Sequence, residues 1–329
     1  MDLPNELRLA LDAALRGSGQ AAKLRAAAAA LSERYRAEHG AASGPPGGAR
    51  YVDSPDDAAA YAAYRMPATY AAVAAAMGAM AARMPGWAPR SLLDAGAGRG
   101  AALWAAAETW DNLAAAELIE AGPAMLALGR QLAARSRHPA LADAAWRRAD
   151  LTAPWRAERH DLATAAYVLG ELPAAARESL IDQLWAHSDH ALLLVEPGTP
   201  QGWAIIRAAR ERLRAAGAFI IAPCPHQGEC PLPADDWCHF AQRVARSKVQ
   251  RAAKGADLGY EDEKFAYVAV ARAQGTPISA RVLRHPLARS GRIELALCAP
   301  AGLRREIITR ADRERWRAAR DAEWGDARV

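Results

Sequence analysis

Hydrophobic and polar residues alternate along the middle of the chain in blocks that predict parallel strands separated by helices. Short apolar runs, each followed by a segment of helical periodicity, begin at residue 91 and continue to residue 196. This order is typical of a doubly wound α/β sheet. The predicted strands are 91–95, 112–119, 146–150, 161–166 and 191–196.

The N-terminal part of the chain predicts a separate helical segment. Residues 1–40 have helical periodicity, and the Ser, Gly and Pro residues of 41–48 predict a flexible linker. Because acidic and leucine residues alternate from the first turn, this start predicts an amphipathic helix rather than a signal or transit peptide, and hence a cytoplasmic protein. A further helix is expected over 61–84.

The C-terminal part of the chain loses the alternation of strand and helix. Runs at 278–284, 292–298 and 306–309 predict a small antiparallel patch instead. The predicted organisation has three parts, namely an N-terminal helical segment and linker over 1–48, a sheet domain over 49–222 and a cysteine-rich, partly antiparallel β region over 223–329.

Composition allows an enzyme and does not require an anionic partner. The 329 residues carry a net charge of +5, which permits RNA binding without demanding it. The alanine-rich run 65–83 contains Pro67 and Gly78 and is too weakly hydrophobic to predict a membrane span. All four cysteines lie in the C-terminal half of the chain. In the reducing compartment expected for this protein, cysteines act as metal ligands or as a reactive thiol more often than they form disulfides.

The first candidate site is a glycine-rich turn between a strand and a helix. Residues 92–100 read Leu-Leu-Asp-Ala-Gly-Ala-Gly-Arg-Gly, and glycine lets the backbone approach a ligand closely. The acid Glu120 ends the second predicted strand, where it can bind ribose hydroxyls, and Asp150 and Leu151 end the third, where they can meet an adenine. The predicted cofactor-binding residues are Asp94, Gly96, Gly98, Gly100, Glu120, Asp150 and Leu151.

These signals, in this order, resemble the class I S-adenosylmethionine-dependent methyltransferases. A dinucleotide-binding domain is the competing interpretation, but it favours a G-x-G-x-x-G turn near the start of its domain. A purely structural role for Asp94 as a helix cap also stays open.

Residues that would identify methyl-transfer chemistry are not evident. The Asn/Asp-Pro-Pro-Tyr/Phe loop of amino-group methyltransferases is absent from 165–172. Cys224 could act as the nucleophile of a cytosine-C5 enzyme, but it lies beyond the fifth predicted strand. Tyr167 and Glu171 could face a methyl group, although a buried strand end and a helix cap are the simpler interpretations. No catalytic residue is predicted.

The second candidate site is a group of cysteines in a proline-rich loop. Cys224, Cys230 and Cys238 lie within fifteen residues, and Cys298 can supply a fourth thiol. Four thiolates suit zinc or an iron–sulfur cluster. The C-x5-C-x7-C spacing lacks the C-x2-C pair of zinc ribbons and favours a cluster, whereas His226 and His239 keep a mixed zinc site open. Four unrelated buried cysteines are the alternative.

A basic run follows the third cysteine. It predicts one side of a helix suited to phosphate groups, and a solvated helix face is the alternative. The acidic residues 261–263 could instead pair with this run internally. The predicted RNA-binding residues are Arg243, Arg246, Lys248, Arg251 and Lys254.

Together these motifs resemble the mitochondrial-type small ribosomal subunit assembly factor family, methyltransferase-like proteins with bacterial relatives. The motifs that carry the resemblance are 64–70, 93–98, 195–200, 222–240 and 260–267. The resemblance implies a class I methyltransferase fold that binds S-adenosylmethionine or keeps its pocket, a four-iron four-sulfur (4Fe-4S) cluster on Cys224, Cys230, Cys238 and Cys298, and binding to the small ribosomal subunit and its rRNA. Arg99 departs from the small residue or proline of many methyltransferases.

Three functional hypotheses follow. The first is an assembly factor that docks on rRNA without necessarily turning over its cofactor, and the second is a working rRNA methyltransferase. A radical enzyme that combines cluster and S-adenosylmethionine is the third; it would need an open iron, which a fourth ligand at Cys298 argues against.

Overall fold

The computed structural model describes residues 1–17, 55–246 and 258–328. In the described part of the chain, none of the helices is long and apolar enough to cross a membrane. The helices are α1 (Asn5–Gly17), α2 (Pro55–Ala81), α3 (Ala101–Thr109), α4 (Pro123–Ala133), α5 (Pro139–Ala142), α6 (Ala174–His187), α7 (Pro200–Ala215) and α8 (Arg313–Arg320).

The strands form two separate sheets. The first sheet contains β1 (Ser91–Ala95), β2 (Ala115–Glu120), β3 (Ala145–Arg148), β4 (His160–Ala166), β5 (Ser188–Pro197), β6 (Phe219–Ala222), β7 (Phe240–Ala245) and β8 (Tyr260–Ala271). The second contains β9 (Ala280–Val282), β10 (Leu287–Arg289), β11 (Arg292–Ala299), β12 (Gly302–Thr309) and β13 (Ala327–Arg328).

The first sheet has the strand order β3-β2-β1-β4-β5-β8-β6, and β7 pairs with the start of β8. Strands β1 to β5 are parallel, whereas β8 runs antiparallel to both β5 and β6. The order reverses between β1 and β4, which creates the crevice at the carboxyl ends of the strands where ligands bind in doubly wound folds. This is the class I methyltransferase arrangement that the sequence predicts.

The predicted strands agree with the structure best where a strand is fully buried. β1 spans the predicted residues, and β2, β3, β4 and β5 overlap their predicted ranges with shifted ends. β7 and β8 were not predicted, and they return the chain to the first sheet after residue 223. In β8, only the second half is continuously buried, because residues 260–264 alternate exposed and partly buried positions.

Helices cover both faces of this sheet and enclose the main core. Trp104 on α3 is among its largest fully buried side chains. Helix α2 packs on α3 and also reaches β7 and β8, so it lies over the carboxyl-terminal half of the sheet as well as its centre. The N-terminal helices are therefore part of the same core as the glycine turn.

The second sheet is small and antiparallel, as the sequence predicts for this region. It has its own core around Leu295 and Leu297, closed by Ala319 of α8. Cys298 on β11 belongs instead to the main core. The two sheets therefore meet at the face that carries this cysteine.

Candidate functional site

The glycine turn joins β1 to α3 at the reversal point of the sheet. Gly96, Gly98 and Gly100 all have positive φ angles, of 70°, 56° and 82°. A side chain at Gly96 would also place its Cβ 2.5 Å from a methyl carbon of Val168, so this position requires glycine for space as well as for conformation. The turn presents backbone rather than side chains at the start of α3.

Glu120 at the end of β2 holds this turn from one side. Its carboxylate accepts hydrogen bonds from the backbone N–H of Gly98 at 2.8 Å and of Gly122 at 2.7 Å. Both carboxylate oxygens therefore have backbone partners in this structure. The structure thus brings together two predicted cofactor residues, one on the turn and one on the neighbouring strand.

Asp94 lies on β1 between two strands, with Leu118 of β2 on one side and Thr164 of β4 on the other. It is only 2% exposed, and its Oδ1 accepts a hydrogen bond of 2.8 Å from the Thr164 hydroxyl. Its Oδ2 is buried and has no hydrogen-bond partner in the part of the chain that the structure describes. Burial raises the pKa of Asp94 to about 7, although the Thr164 hydrogen bond opposes the shift.

The two remaining predicted cofactor residues follow β3. Asp150 is exposed and accepts hydrogen bonds from the backbone N–H and the hydroxyl of Thr152, while Leu151 is buried. Because β3 is parallel to β2 and β1, both residues lie at the same edge of the sheet as Glu120 and the glycine turn. The predicted cofactor residues thus lie side by side at the carboxyl ends of β1, β2 and β3.

A hydrogen-bonded group that sequence reasoning missed lies at the carboxyl end of β4. Tyr167 has a positive φ of 59°, which is uncommon for a bulky residue. Its hydroxyl donates a hydrogen bond of 2.9 Å to Glu263 on β8, and the Arg65 guanidinium of α2 pairs with the same carboxylate at 3.0 Å. These residues are 96 and 198 positions apart from Glu263, so local spacing carries no signal for the group.

A buried acid supports the loop after β4. Glu196 of β5 accepts hydrogen bonds from the backbone N–H groups of Leu169 at 2.8 Å and Gly170 at 3.3 Å. Burial raises the pKa of Glu196 to about 7, and the backbone hydrogen bonds oppose this. Tyr167 is thereby held between a supported loop and the start of β8.

The four cysteines line a single cavity. Cys224, Cys230 and Cys238 of the loop between β6 and β7 and Cys298 of β11 share it with His226. The cavity holds about 320 Å³ including its open mouth. Burial raises the pKa of Cys298 to about 12 and that of Cys238 well above its usual value. The four thiols that the sequence assigns to one centre are therefore neighbours.

The cavity is not a formed metal site. Across residues 1–17, 55–246 and 258–328, no three His, Cys, Asp or Glu side chains lie in an arrangement that could hold a metal ion. His226 Nε2 approaches Cys298 Sγ at 3.5 Å, whereas the His239 ring stacks on Trp237 with 5.1 Å between ring centroids. His239 therefore packs among aromatic rings, and it does not line the cavity.

The basic run is only partly described. Arg243 lies on strand β7 and not on the predicted helix, and it pairs with Asp262 of β8 at 2.9 Å. Arg246 pairs with Glu261 at 3.3 Å. Both arginines therefore have the internal acidic partners that the sequence left open as an alternative. The three other predicted residues of this run, Lys248, Arg251 and Lys254, lie outside the described residues.

Comparison with known families identifies the chain. The sequence model of the family described as "Mitochondrial small ribosomal subunit Rsm22" matches residues 55–328, which include the glycine turn and all four cysteines. The chain belongs to the Rsm22 family. The match begins where α2 begins, so it also takes in Arg65.

Two curated relatives of the Rsm22 chain are similar over part of their own length. The human protein named "Ribosome assembly protein METTL17, mitochondrial" is 31% identical over 287 residues, which are 81% of this chain and 61% of that protein. The "Rsm22-cox11 tandem protein 2, mitochondrial" of Schizosaccharomyces pombe is 26% identical over 179 residues, 41% of this chain and 24% of that protein. The chain therefore spans less than two thirds of either relative.

These relatives correct one expectation from the sequence. The amphipathic N-terminus predicted a cytoplasmic protein, but the family and both relatives are named as mitochondrial. The cytoplasmic prediction is wrong. A short amphipathic start does not discriminate between compartments when only its acidic and leucine positions are considered.

Solved structures with similar folds are methyltransferases. An O-methyltransferase family protein from Burkholderia thailandensis is 11% identical with a TM-score of 0.44, covering 67% of this chain and 60% of that one. The magnesium protoporphyrin IX methyltransferase of Synechocystis PCC 6803, solved with bound S-adenosylhomocysteine, is 16% identical with a TM-score of 0.40, covering 63% and 83%. These similarities concern the fold alone.

Proposed function

We propose that this protein is an assembly factor of the small ribosomal subunit, with a methyltransferase fold that binds S-adenosylmethionine, carries a 4Fe-4S cluster and contacts rRNA. The observation that carries the proposal is the family match over residues 55–328, because it spans the glycine turn and the four-cysteine cavity together. The human relative METTL17 is named as a ribosome assembly protein.

The glycine turn and its neighbours would hold S-adenosylmethionine. The unpartnered Oδ2 of Asp94 is a buried acceptor that a donor group of the cofactor could satisfy, and a buried polar group without a partner is costly. Glu120 would exchange its bonds to Gly98 and Gly122 for ribose hydroxyls, and Asp150 and Leu151 would flank the adenine. When bound, the cofactor supplies an activated methyl group.

The neighbourhood of Tyr167 supports binding without turnover. In a doubly wound methyltransferase the methyl acceptor would approach the carboxyl ends of β4 and β5, and here Glu263 joins Tyr167 to Arg65 at that edge. Both groups are partly buried, with side-chain exposures of 17% for Arg65 and 13% for Glu263. An acceptor base would have to displace this ion pair before it could reach the cofactor.

The shared cysteine cavity supports a cluster more than a zinc ion. The four thiols that line the cavity lack the C-x2-C pair of a zinc ribbon. A cubane is held at four separate iron corners, so its thiolates stand further apart. Cys224, Cys230, Cys238 and Cys298 would each hold one iron.

An active rRNA methyltransferase is the second candidate. Two features favour it, namely the three glycines of the turn, which let a methyl donor approach the backbone closely, and the Asp94 carboxylate oxygen that is free to accept a hydrogen bond from it. It requires in addition that the contact between Arg65 and Glu263 opens when rRNA binds.

Binding to precursors of the small subunit tests the proposal. Purified protein is mixed with small-subunit precursors and with mature subunits in the presence of S-adenosylmethionine carrying a labelled methyl group, and both co-sedimentation and label in rRNA are measured. We expect co-sedimentation with precursors and no label in rRNA. Sustained incorporation at one mapped nucleotide would replace the proposal by the methyltransferase, and absence of binding to precursors would reject both.

A further inference from the structure

Three buried arginines surround the cysteine cavity. Arg83 follows α2, Arg210 lies on α7 and Arg281 lies on β9, and they are 4%, 1% and 3% exposed. Arginine is almost never buried to this extent unless it is paired. Three such residues from three separate elements at one place therefore require an explanation beyond packing.

Each of the three guanidinium groups contacts one of two neighbouring residues, Pro223 or Cys224. Arg210 Nε–H donates to Cys224 Sγ at 3.4 Å, and Arg83 Nη1–H donates to the Cys224 carbonyl oxygen at 3.3 Å. Arg281 Nε–H donates to the Pro223 carbonyl oxygen at 2.9 Å. Positive charge thus converges on the segment that begins the cysteine loop.

Arg281 also lies beside the fourth cysteine. In the antiparallel pair of β9 and β11, Arg281 is directly opposite Cys298. Side chains at opposite positions of an antiparallel pair stand on the same face of the sheet and are close neighbours. Arg281 therefore lies between the start of the cysteine loop at Pro223 and the most distant cysteine in sequence, Cys298.

Carboxylates balance only part of the charge of these arginines in the part of the chain that the structure describes. Arg210 pairs with Glu211. The remaining contacts of Arg83 and Arg281 are with the carbonyl oxygens of Thr276 and Gly325, and Arg281 Nη2 is buried without an acceptor. Glu211 also pairs with Arg214, so this one carboxylate is shared and the three buried guanidinium groups keep an excess of positive charge. A buried charge without a counter-charge strongly destabilises the folded state.

We propose that Arg83, Arg210 and Arg281 are the counter-ions of an anionic four-thiolate centre in this cavity, and that they set its retention and its reduction potential. The inference rests on the proposed function for the presence of the centre. Four thiolates around a doubly charged cubane core leave two negative charges, which the excess of guanidinium charge would offset. The Arg210 contact adds a hydrogen bond to a ligand sulfur, a feature that tunes such centres.

A redox titration of the purified holoprotein tests the charge role. One-electron reduction by dithionite adds a negative charge to the centre, so a nearby positive charge favours the reduced form. Arg281→Met should therefore lower the midpoint potential by about 59 mV, the equivalent of a tenfold change in a one-electron equilibrium constant. Arg281→Lys keeps the charge and should remain close to the wild-type value. Arg212→Met is the matched control, because Arg212 lies on the same helix as Arg210 but pairs with Asp182 and Glu178 at the surface.

A second measurement does not depend on the redox couple. In a variant in which all four cysteines are replaced by serine, the arginines have lost their proposed counter-charge, so Arg281→Met should raise the unfolding midpoint in urea. In the loaded protein the same substitution should lower the midpoint and speed loss of metal to a chelator. Destabilisation by the same amount in both backgrounds would show that Arg281 acts only through its hydrogen bonds and would overturn the inference.

The metal content separates this inference from the proposed function. Iron and sulfide in the purified protein, with unchanged potential and retention in Arg281→Met, overturn the counter-ion role and leave the cluster in place. Zinc in place of iron rejects the cluster, and the counter-ion role is then decided by zinc retention in the same variants. A protein purified anaerobically without metal, and stable in that form, overturns both.

Discussion

The hydroxyl of Tyr167 donates a hydrogen bond of 2.9 Å to the carboxylate of Glu263, and this contact connects the carboxyl end of β4 to the first half of β8. Tyr167 adopts a left-handed backbone conformation that a bulky residue reaches only at a cost. The surrounding structure must therefore hold it there. Glu196 accepts hydrogen bonds from the backbone amides of Leu169 and Gly170, and Glu263 binds the Tyr167 hydroxyl from the other side.

Removing this hydroxyl should weaken the fold measurably. Tyr167→Phe leaves the partly buried Glu263 carboxylate with one partner fewer, so we expect a loss of about 1–2 kcal/mol in the free energy of unfolding, measured by urea denaturation. Tyr260→Phe is the control, because Tyr260 lies on the same strand as Glu263 but is exposed. Equal stability of the Tyr167→Phe variant and the wild type would show that the contact is incidental.

Stability should depend on pH through Asp94. Burial raises the pKa of Asp94 from 3.8 to about 7, so between these values the folded state binds a proton that the unfolded state releases. The contribution of Asp94 to the free energy of unfolding is fully present below its pKa in the unfolded state. It is lost as the pH rises through its pKa in the folded state. Relative to Asp94→Asn, the wild type should lose about 3 kcal/mol between about pH 5 and about pH 8.

The check for Asp94 is a set of denaturation curves over that pH range for both proteins. Glu196 is also buried with a raised pKa, but it is present in both proteins, so the difference between them isolates Asp94. Parallel pH profiles for the wild type and Asp94→Asn would contradict the shifted pKa.

Glu120 should control affinity for S-adenosylmethionine. Glu120→Ala removes the acceptor of the Gly98 and Gly122 amides and the proposed ribose ligand together, so calorimetry should show at least about a tenfold loss in affinity, or about 1.4 kcal/mol. Glu117→Ala is the matched control on the same strand, because Glu117 pairs with Arg147. Equal affinity for S-adenosylmethionine in both variants would show that Glu120 does not contribute to the cofactor pocket.

Loss of one thiol should affect iron content and stability together. We expect Cys230→Ser to purify with less iron and to be less stable, because the binding free energy of a structural metal site is also folding free energy. Metal analysis and thermal unfolding of anaerobic protein measure both. A colourless wild-type protein with the same thermal midpoint as Cys230→Ser would refute the cluster.

Substitutions in the basic run should fall into two classes by their effect on rRNA affinity. Arg243 and Arg246 already have acidic partners, so Arg243→Ala should change rRNA affinity little. Joint replacement of Lys248, Arg251 and Lys254 by Ala should weaken binding and reduce the slope of log affinity against log salt by about 2 to 3. A larger effect from Arg243 than from the three others would reverse this assignment.

The sequence predicted what is local. The turn from Asp94 to Gly100 combines a buried strand, glycines and a helix within ten residues, and β1 was predicted to the residue. Glu120 ends β2 and Asp150 follows β3, so the order of the elements along the chain is enough to place both at the same edge of the sheet as that turn. The four cysteines were grouped by residue type, which is informative because the chain has so few of them.

What sequence reasoning missed depends on contacts between distant parts of the chain. β8 was missed because charged residues at 261–264 interrupt the apolar run, and those charges are explained only by partners such as Arg65 and Arg243. The buried arginines were missed for a related reason. Arginine is abundant throughout this chain, so nothing local distinguishes Arg281 from an exposed arginine.

The cysteine cavity spans the boundary between the two sheets. Cys224 follows β6 of the first sheet, and Cys298 lies on β11 of the second. Any centre that binds both cysteines therefore cross-links the two sheets. Protein without such a centre should become more sensitive to a protease in the connection between β8 and β9. If the proposed cluster is present, a cell's supply of inorganic sulfide and iron would then decide how firmly the two sheets are joined.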